Sequence, residues 1–258
     1  MNQTEKKPLV NRVWFRIFLF FPLYTQKSYD YAKTTNVISA VLTHPLVTRV
    51  AWTLPLAKLL LLAAALLPFL VQNGRDVAKP LLVYYALILL IVGIFQNMSP
   101  TDEYGFVWIT GNTAVILAVM LFCLLDLIGE RTRIRHENLD RSRLWVVVPM
   151  ALAFLMPYAI NEAGHIQPSF TTQILGNEAG VTYCMITPVI LGVLLIFSKE
   201  VHRPTLSIIA FVGLLFGLLN MSIWFGFQPE NWWMGVLHLP LLVLSIFGLW
   251  QSRQPATA

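Results

Sequence analysis

The chain has 258 residues, 57% of them hydrophobic and only 12% charged, with a net charge of +5. A soluble globular domain carries roughly 25% charged residues, so this supply cannot cover a water-facing surface and the bilayer must solvate much of the exterior. No basic stripe is interleaved with stacking aromatics on a soluble module, so the excess positive charge points to anionic lipid headgroups and not to nucleic acid.

Residues 1–50 form an N-terminal segment that carries Lys6, Lys7, Arg12, Arg16, Lys27, Lys33 and Arg49. Its apolar run, Trp14 to Tyr24, contains Arg16 and Pro22 and is followed by no small-residue cleavage site, so it does not read as a signal peptide. It reads either as an interfacial amphipathic helix over Asn11 to Tyr24, with the two arginines snorkelling, or as part of an extra short crossing within 13–51.

Residues 51–251 read as a transmembrane helical domain. About 20 residues cross the hydrocarbon core, and seven runs approach that length: Trp52 to Val71, Pro80 to Phe95, Phe106 to Leu127, Leu144 to Ile160, Val181 to Phe197, Thr205 to Phe225 and Trp233 to Trp250. Aliphatic runs this long suit helices better than barrel strands. The expected fold class is therefore all-α: a polytopic integral membrane bundle of about seven transmembrane helices, arranged as a first span and three outward-turning hairpins. Residues 252–258 form a short tail.

The connecting loops alternate in charge. Residues 72–79 hold Arg75 and Lys79, residues 128–143 hold five arginines from Arg131 to Arg143, residues 198–204 hold Lys199 and Arg203, and the tail holds Arg253. The intervening loops near 96–105, 161–180 and 226–232 hold Asp102, Glu103, Glu162, Glu178 and Glu230 and no lysine or arginine. The positive-inside rule places the basic loops and the C terminus in the cytoplasm of a bacterial-type inner membrane. The basic N-terminal segment conflicts with that parity unless it makes the extra crossing or lies in the interface.

Short similarities recur along the outer ends. Asn97-Met98-Ser99 closes the second run, Asn220-Met221-Ser222 falls near the end of the sixth, and Asn161-Glu162-Ala163 follows the fourth. Gly111-Asn112-Thr113-Ala114-Val115 enters the third run and Gly176-Asn177-Glu178-Ala179-Gly180-Val181 enters the fifth, while Thr187-Pro188 and His238-Leu239-Pro240 stand at comparable depth. The pattern reads as three hairpins in parallel orientation, competing with chance similarity among apolar runs.

Most polar candidates stand at helix ends, where asparagine commonly bonds free carbonyls. Asn97, Asn112, Asn161, Glu162, His165, Asn177, Glu178, Asn220 and His238 form the candidate substrate-binding set. Glu162 and His165 are three apart and could bind a divalent metal or relay a proton, but the spacing is no recognised ligand signature. His238 lies about five residues into the last run, where a histidine bonded to its surroundings is the commoner case. Lys58 falls inside the first run, with snorkelling to the nearer interface as its default. Asp126, at the cytoplasmic end of the third run, is placed to pair with Arg131 or Arg133. Trp224, Trp232 and Trp233, with Tyr104 and Trp108, read as an interfacial aromatic belt or as the wall of an outward-facing pocket. Cys123 and Cys184 lie inside apolar runs and read as small core residues.

No P-loop, GxSxG, HExxH or Rossmann fingerprint is present, and no catalytic constellation rises above background. Two function classes fit. One is a small permease or channel-like carrier with its polar site near the outer face. The other is a non-catalytic anchor or accessory subunit of a larger membrane complex, whose apolar surface binds partner helices, quinone, pigment or another copy of the chain.

Overall fold

A computed structural model describes residues 24–30, 33–72, 74–160 and 166–254. Five helical stretches are long and apolar enough to cross a membrane: Thr53–Leu70, Ala78–Phe95, Thr110–Gly129, Arg203–Phe227 and Pro229–Ser252. They mark the chain as a membrane protein whose helices meet lipid. Runs of leucine, isoleucine and valine form helices here because hydrocarbon offers no partner to a free backbone group, so each N–H and C=O must bond within its own segment.

In chain order, α1 (Thr34–Thr43) precedes the long helices α2 (Thr53–Leu70) and α3 (Ala78–Phe95). A β-hairpin follows, with β1 (Met98–Thr101) antiparallel to β2 (Gly105–Trp108), Met98 opposite Trp108 and Thr101 opposite Gly105. Gly105 has φ +65°, a left-handed turn that an added Cβ would strain. Val37 and Val41 of α1 pack on Val107 and Ile109 beside this hairpin. Next come α4 (Thr110–Gly129), the short α5 (Val147–Leu155), a second hairpin of β3 (Tyr158–Ile160) and β4 (Ile166–Pro168), and α6 (Tyr183–Ile196). Helix α7 (Arg203–Ser222) ends in a wide turn over Ile223–Phe227, and α8 (Trp232–Ser252) closes the bundle.

The fourth and fifth apolar runs are not helices of spanning length. The fourth is led in by a 3-10 stretch, Arg141–Val146, and its α-helix has 9 residues. It stops at Met156, whose φ of 44° is left-handed, because Pro157 lacks an amide hydrogen and restricts the residue before it. The fifth run forms α6, with 14 residues. At 1.5 Å per residue that is about 21 Å, against roughly 30 Å of hydrocarbon. Every residue of α6 but one is buried. It forms the middle of the bundle, packed by α5, α7, α8 and α2. By contrast, only 28% of α2 is covered by protein, against 61% of the α7 stretch, so α2 is peripheral.

Small residues set the close approach of α7 and α8. A methyl group on Gly217 would stand 3.1 Å from Leu242 Cα, and one on Gly213 would collide with Ser245. A methyl group on Gly248 of α8 would stand 2.9 Å from Ala210 Cβ of α7 and 3.3 Å from Leu191 of α6. Glycines at such positions let helix backbones approach, which is how packing is gained in lipid.

The loops gather at two ends. At one end Val77 N donates to Ile134 O at 2.9 Å, Arg133 N to Glu200 O at 3.0 Å, and Asp140 N to Ile196 O at 3.0 Å. These bonds join all three basic loops. At the other end Gln26 N donates to Trp108 O at 3.0 Å and Gly111 N to Tyr24 O at 2.9 Å, tying the described start of the chain to the first hairpin. Lys27 and Lys33 therefore stand at the end opposite the arginine-rich loop. The interfacial helix expected over Asn11 to Tyr24 lies, except for Tyr24, outside the described residues.

Candidate functional site

The end of α5, the start of α6 and the loop between them converge on α2. Lys58 lies five residues into α2, about 8 Å below its first residue. It is 2% exposed and does not snorkel. Its Nζ donates to Asn177 Oδ1 at 2.7 Å, to Leu155 O at 3.2 Å, and to Ile174 O. The ring of Phe154 lies 5.0 Å away. Leu155 closes α5 and Ile174 belongs to the 3-10 turn Thr172–Leu175. Helix C-terminal carbonyls carry partial negative charge and lack intrahelical donors, so the ammonium finds acceptors in place of water. Among the described residues, no carboxylate pairs with it.

Asn177 braces this junction. Its Nδ2 donates to Leu155 O at 3.0 Å and Met156 O at 2.8 Å, and its Oδ1 accepts from Lys58 and from Ala179 N. The next residue, Glu178, accepts a hydrogen bond from the Tyr158 hydroxyl. Burial raises its carboxyl to about 7. Gly180 then passes so close to α2 that a methyl group would stand 2.6 Å from the Ala57 carbonyl carbon. Only glycine permits that approach.

The other predicted residues gather on the far side of the α6 entrance. Gln96 Oε1 accepts from Tyr183 N at 3.0 Å, joining α3 to the first residue of α6. Beside it, Asn97 Nδ2 donates to Gly93 O at 2.9 Å. Asn220 makes the same four-residue return bond, to Phe216 O at 2.8 Å, so the two Asn-Met-Ser matches share a local geometry. Asn220 also reaches Cys184 Sγ at 3.4 Å and accepts from Trp224 Nε1 at 3.2 Å. Trp224 packs against the ring of His238 at 6.0 Å, and His238 Nδ1 donates to Met234 O at 2.8 Å. The polar contacts of Trp224 are thus internal, whereas Trp232 is exposed as a belt residue would be.

Asn112, on the first turn of α4, is 7% exposed, and among the described residues its Oδ1 has no hydrogen-bond partner. An unpartnered buried acceptor costs about 1–3 kcal/mol, so some other gain maintains it. Asn161, Glu162 and His165 lie outside the described residues. No hydrogen bond joins two of the described candidate residues directly. Asn177 and Glu178 stand on the α2–α5 side of the α6 entrance, and Asn97, Asn220 and His238 on the α3–α7–α8 side.

At the basic end a cleft of about 260 Å³ is lined by Asp76, Lys79, Asp126, Glu130, Thr132 and Arg133. Two of its carboxylates, exposed Asp76 and buried Asp126, brace backbone. Asp76 Oδ1 accepts from Ala78 N and Ile134 N, both at 2.9 Å. Asp126 accepts from Thr132 N at 2.8 Å and from the Thr132 hydroxyl at 2.6 Å. This replaces the expected pairing of Asp126 with Arg131 or Arg133, because the Thr132 donors lie within one turn of the helix end. His202 Nδ1 stands 3.8 Å from Asp126. Burial, together with nearby Arg131, lowers its pKa despite the carboxylate. Both cysteines are free thiols. Among the described residues, no group of three or more His, Cys, Asp and Glu could hold a metal ion.

Sequence reasoning reached Asn177 and Glu178 but missed Lys58 as their neighbour. The available signal was a lysine alone in a leucine-alanine run, too costly to bury without partners. No family model matches the chain, and neither curated proteins nor solved structures yield a similar one.

Proposed function

We propose that the chain is a small carrier whose solute path opens at the acidic, amide-rich end. Asn97, Asn112, Asn177, Glu178, Asn220 and His238 line its entrance. The observation that carries this reading is the interruption of the bundle at α6. Helix α5 stops at Met156, and α6 begins at Tyr183 beside a lysine about 8 Å inside α2. Non-helical backbone at membrane depth persists only where protein buries it or a cavity is lined by it, and carriers place their sites at such interruptions. In this reading α5 and α6 are short crossings that complete seven passes. The basic end and the C terminus face the cytoplasm of a bacterial-type inner membrane.

The unpartnered Asn112 gives the test. A residue kept for structure would have its bonds filled, so Asn112→Ala should leave thermal stability unchanged or slightly raised. Asn112→Ala and Asn177→Ala should each reduce flux at least about tenfold, the cost of roughly one hydrogen bond to a solute. The assay is stopped-flow light scattering on proteoliposomes challenged with a panel of amino acids, polyols and alkali salts. Wild-type liposomes no more permeable than protein-free ones, or flux indifferent to both substitutions, would remove the carrier reading.

A further inference from the structure

The three oxygens around Lys58 have the character of a monovalent-cation site. Two are backbone carbonyls, one closing α5 and one in the 3-10 turn Thr172–Leu175, and the third is an amide oxygen; among the described residues no carboxylate balances them. Neutral oxygens that replace a hydration shell are what alkali-cation sites are built from, and unwound backbone in carriers supplies them. The enclosing parts are tied together: Asn177 bonds Leu155 and Met156 through its amide nitrogen, and Gly180 lets the loop close on the α2 backbone. Two of the three oxygens, Leu155 O and Asn177 Oδ1, are therefore held by contacts that do not involve the ammonium.

We propose that this cradle is an alkali-cation site whose resident occupant is the tethered ammonium of Lys58, and that K+ takes its place when the lysine charge is removed. Ammonium and K+ are close in size, so K+ fits with less rearrangement than Na+. The exchange conserves charge: the amine releases a proton to bulk water and its side chain withdraws from the three oxygens, one K+ enters in its place, and the cradle carries a single positive charge before and after. As a step in transport, coupling cation movement to a proton, this rests on the carrier reading; as a binding site it does not.

The test is thermal unfolding of the detergent-solubilised full chain in KCl, NaCl or choline chloride at equal ionic strength. Lys58→Ala empties the cradle without refilling it. Its melting temperature should be lowest in choline and rise saturably in KCl by about 5–10 °C, with a smaller rise in NaCl. The wild-type protein should melt alike in all three salts at pH 7. Lys58→Ala with Asn177→Ala, lacking one of the three oxygens, should need at least about tenfold more K+ for the same rise. Equal melting of Lys58→Ala in all three salts would overturn the proposal. So would failure to obtain it folded in KCl, because a cradle that accepts K+ would restore the missing charge. The flux assay reads separately: K+-dependent stability with no solute flux keeps the cradle and discards the carrier.

Discussion

Lys58 and Glu178 meet the same problem, an ionisable group withdrawn from water, in opposite ways. The lysine recruits carbonyl oxygens that suit its charge, whereas the carboxyl has one hydroxyl donor, Tyr158, and is pushed toward its neutral form. With a folded value of about 7 against an ordinary 4.5, folded Glu178 holds its proton where unfolded Glu178 releases it. Between those values the native state binds more protons, so stability falls as pH rises from about 4.5 to about 7 and is level above that. The loss is at most about 3 kcal/mol. Melting curves from pH 5 to pH 8 should show this decline, and Glu178→Gln should flatten it; an unchanged slope in the variant would assign the decline to another group. Asn177 and Glu178 were visible in the sequence because a glycine-flanked polar stretch entering an apolar run stands out. The link of Asn177 to Lys58 was not, since a separation of 119 residues leaves no local pattern.

Hydropathy along the chain finds elements without distinguishing why they are apolar. Helices α2 and α6 both read as spans, yet α2 is apolar because it faces lipid and α6 because it is encased by other helices. The break after α5 did have a signal in Pro157, but an apolar stretch continuing through Ile160 obscured it. The hairpin over 98–108 was likewise marked by Gly105 after three polar or aromatic turn residues. What no run length could show is the close seam between α7 and α8, which depends on which glycines face which backbone. Gly217→Leu forces a side chain against the Leu242 backbone, where a Cβ alone stands 3.1 Å away. Such overpacking costs about 1–3 kcal/mol, and melting should fall by about 3–10 °C. Gly226→Ala, with no atom within 4 Å of the new methyl, is the matched control and should melt as wild type. Equal behaviour of the two variants would show that the α7–α8 seam tolerates separation.

At the scale of the whole molecule, charge and amides separate along the bundle axis. The 128–143 loop is bonded to 72–79 and to 198–204, so its arginines join one basic surface. Asp102 and Glu103 sit on the hairpin at the other end. Moving arginines across hydrocarbon during insertion is costly, and anionic headgroups attract them where they remain. The described part of the N-terminal segment opposes this bias, because Tyr24 and Gln26 tie it to the hairpin end despite Lys27 and Lys33. Its charge is spread along a segment outside the long helices, whereas five arginines between residues 131 and 143 sit directly at helix ends, where the rule counts them most heavily. The stronger cluster should decide the orientation. Exposed single cysteines at Asp102 and Glu137, in a chain with Cys123 and Cys184 replaced by alanine, test this with a membrane-impermeant maleimide. Asp102→Cys should label in intact spheroplasts and Glu137→Cys only after lysis. The reverse result would invert the bundle and turn the α6 entrance toward the cytoplasm. Labelling of both from outside would mean that α4 does not cross the membrane between those residues, and the solute path argued from that sidedness would fall with it.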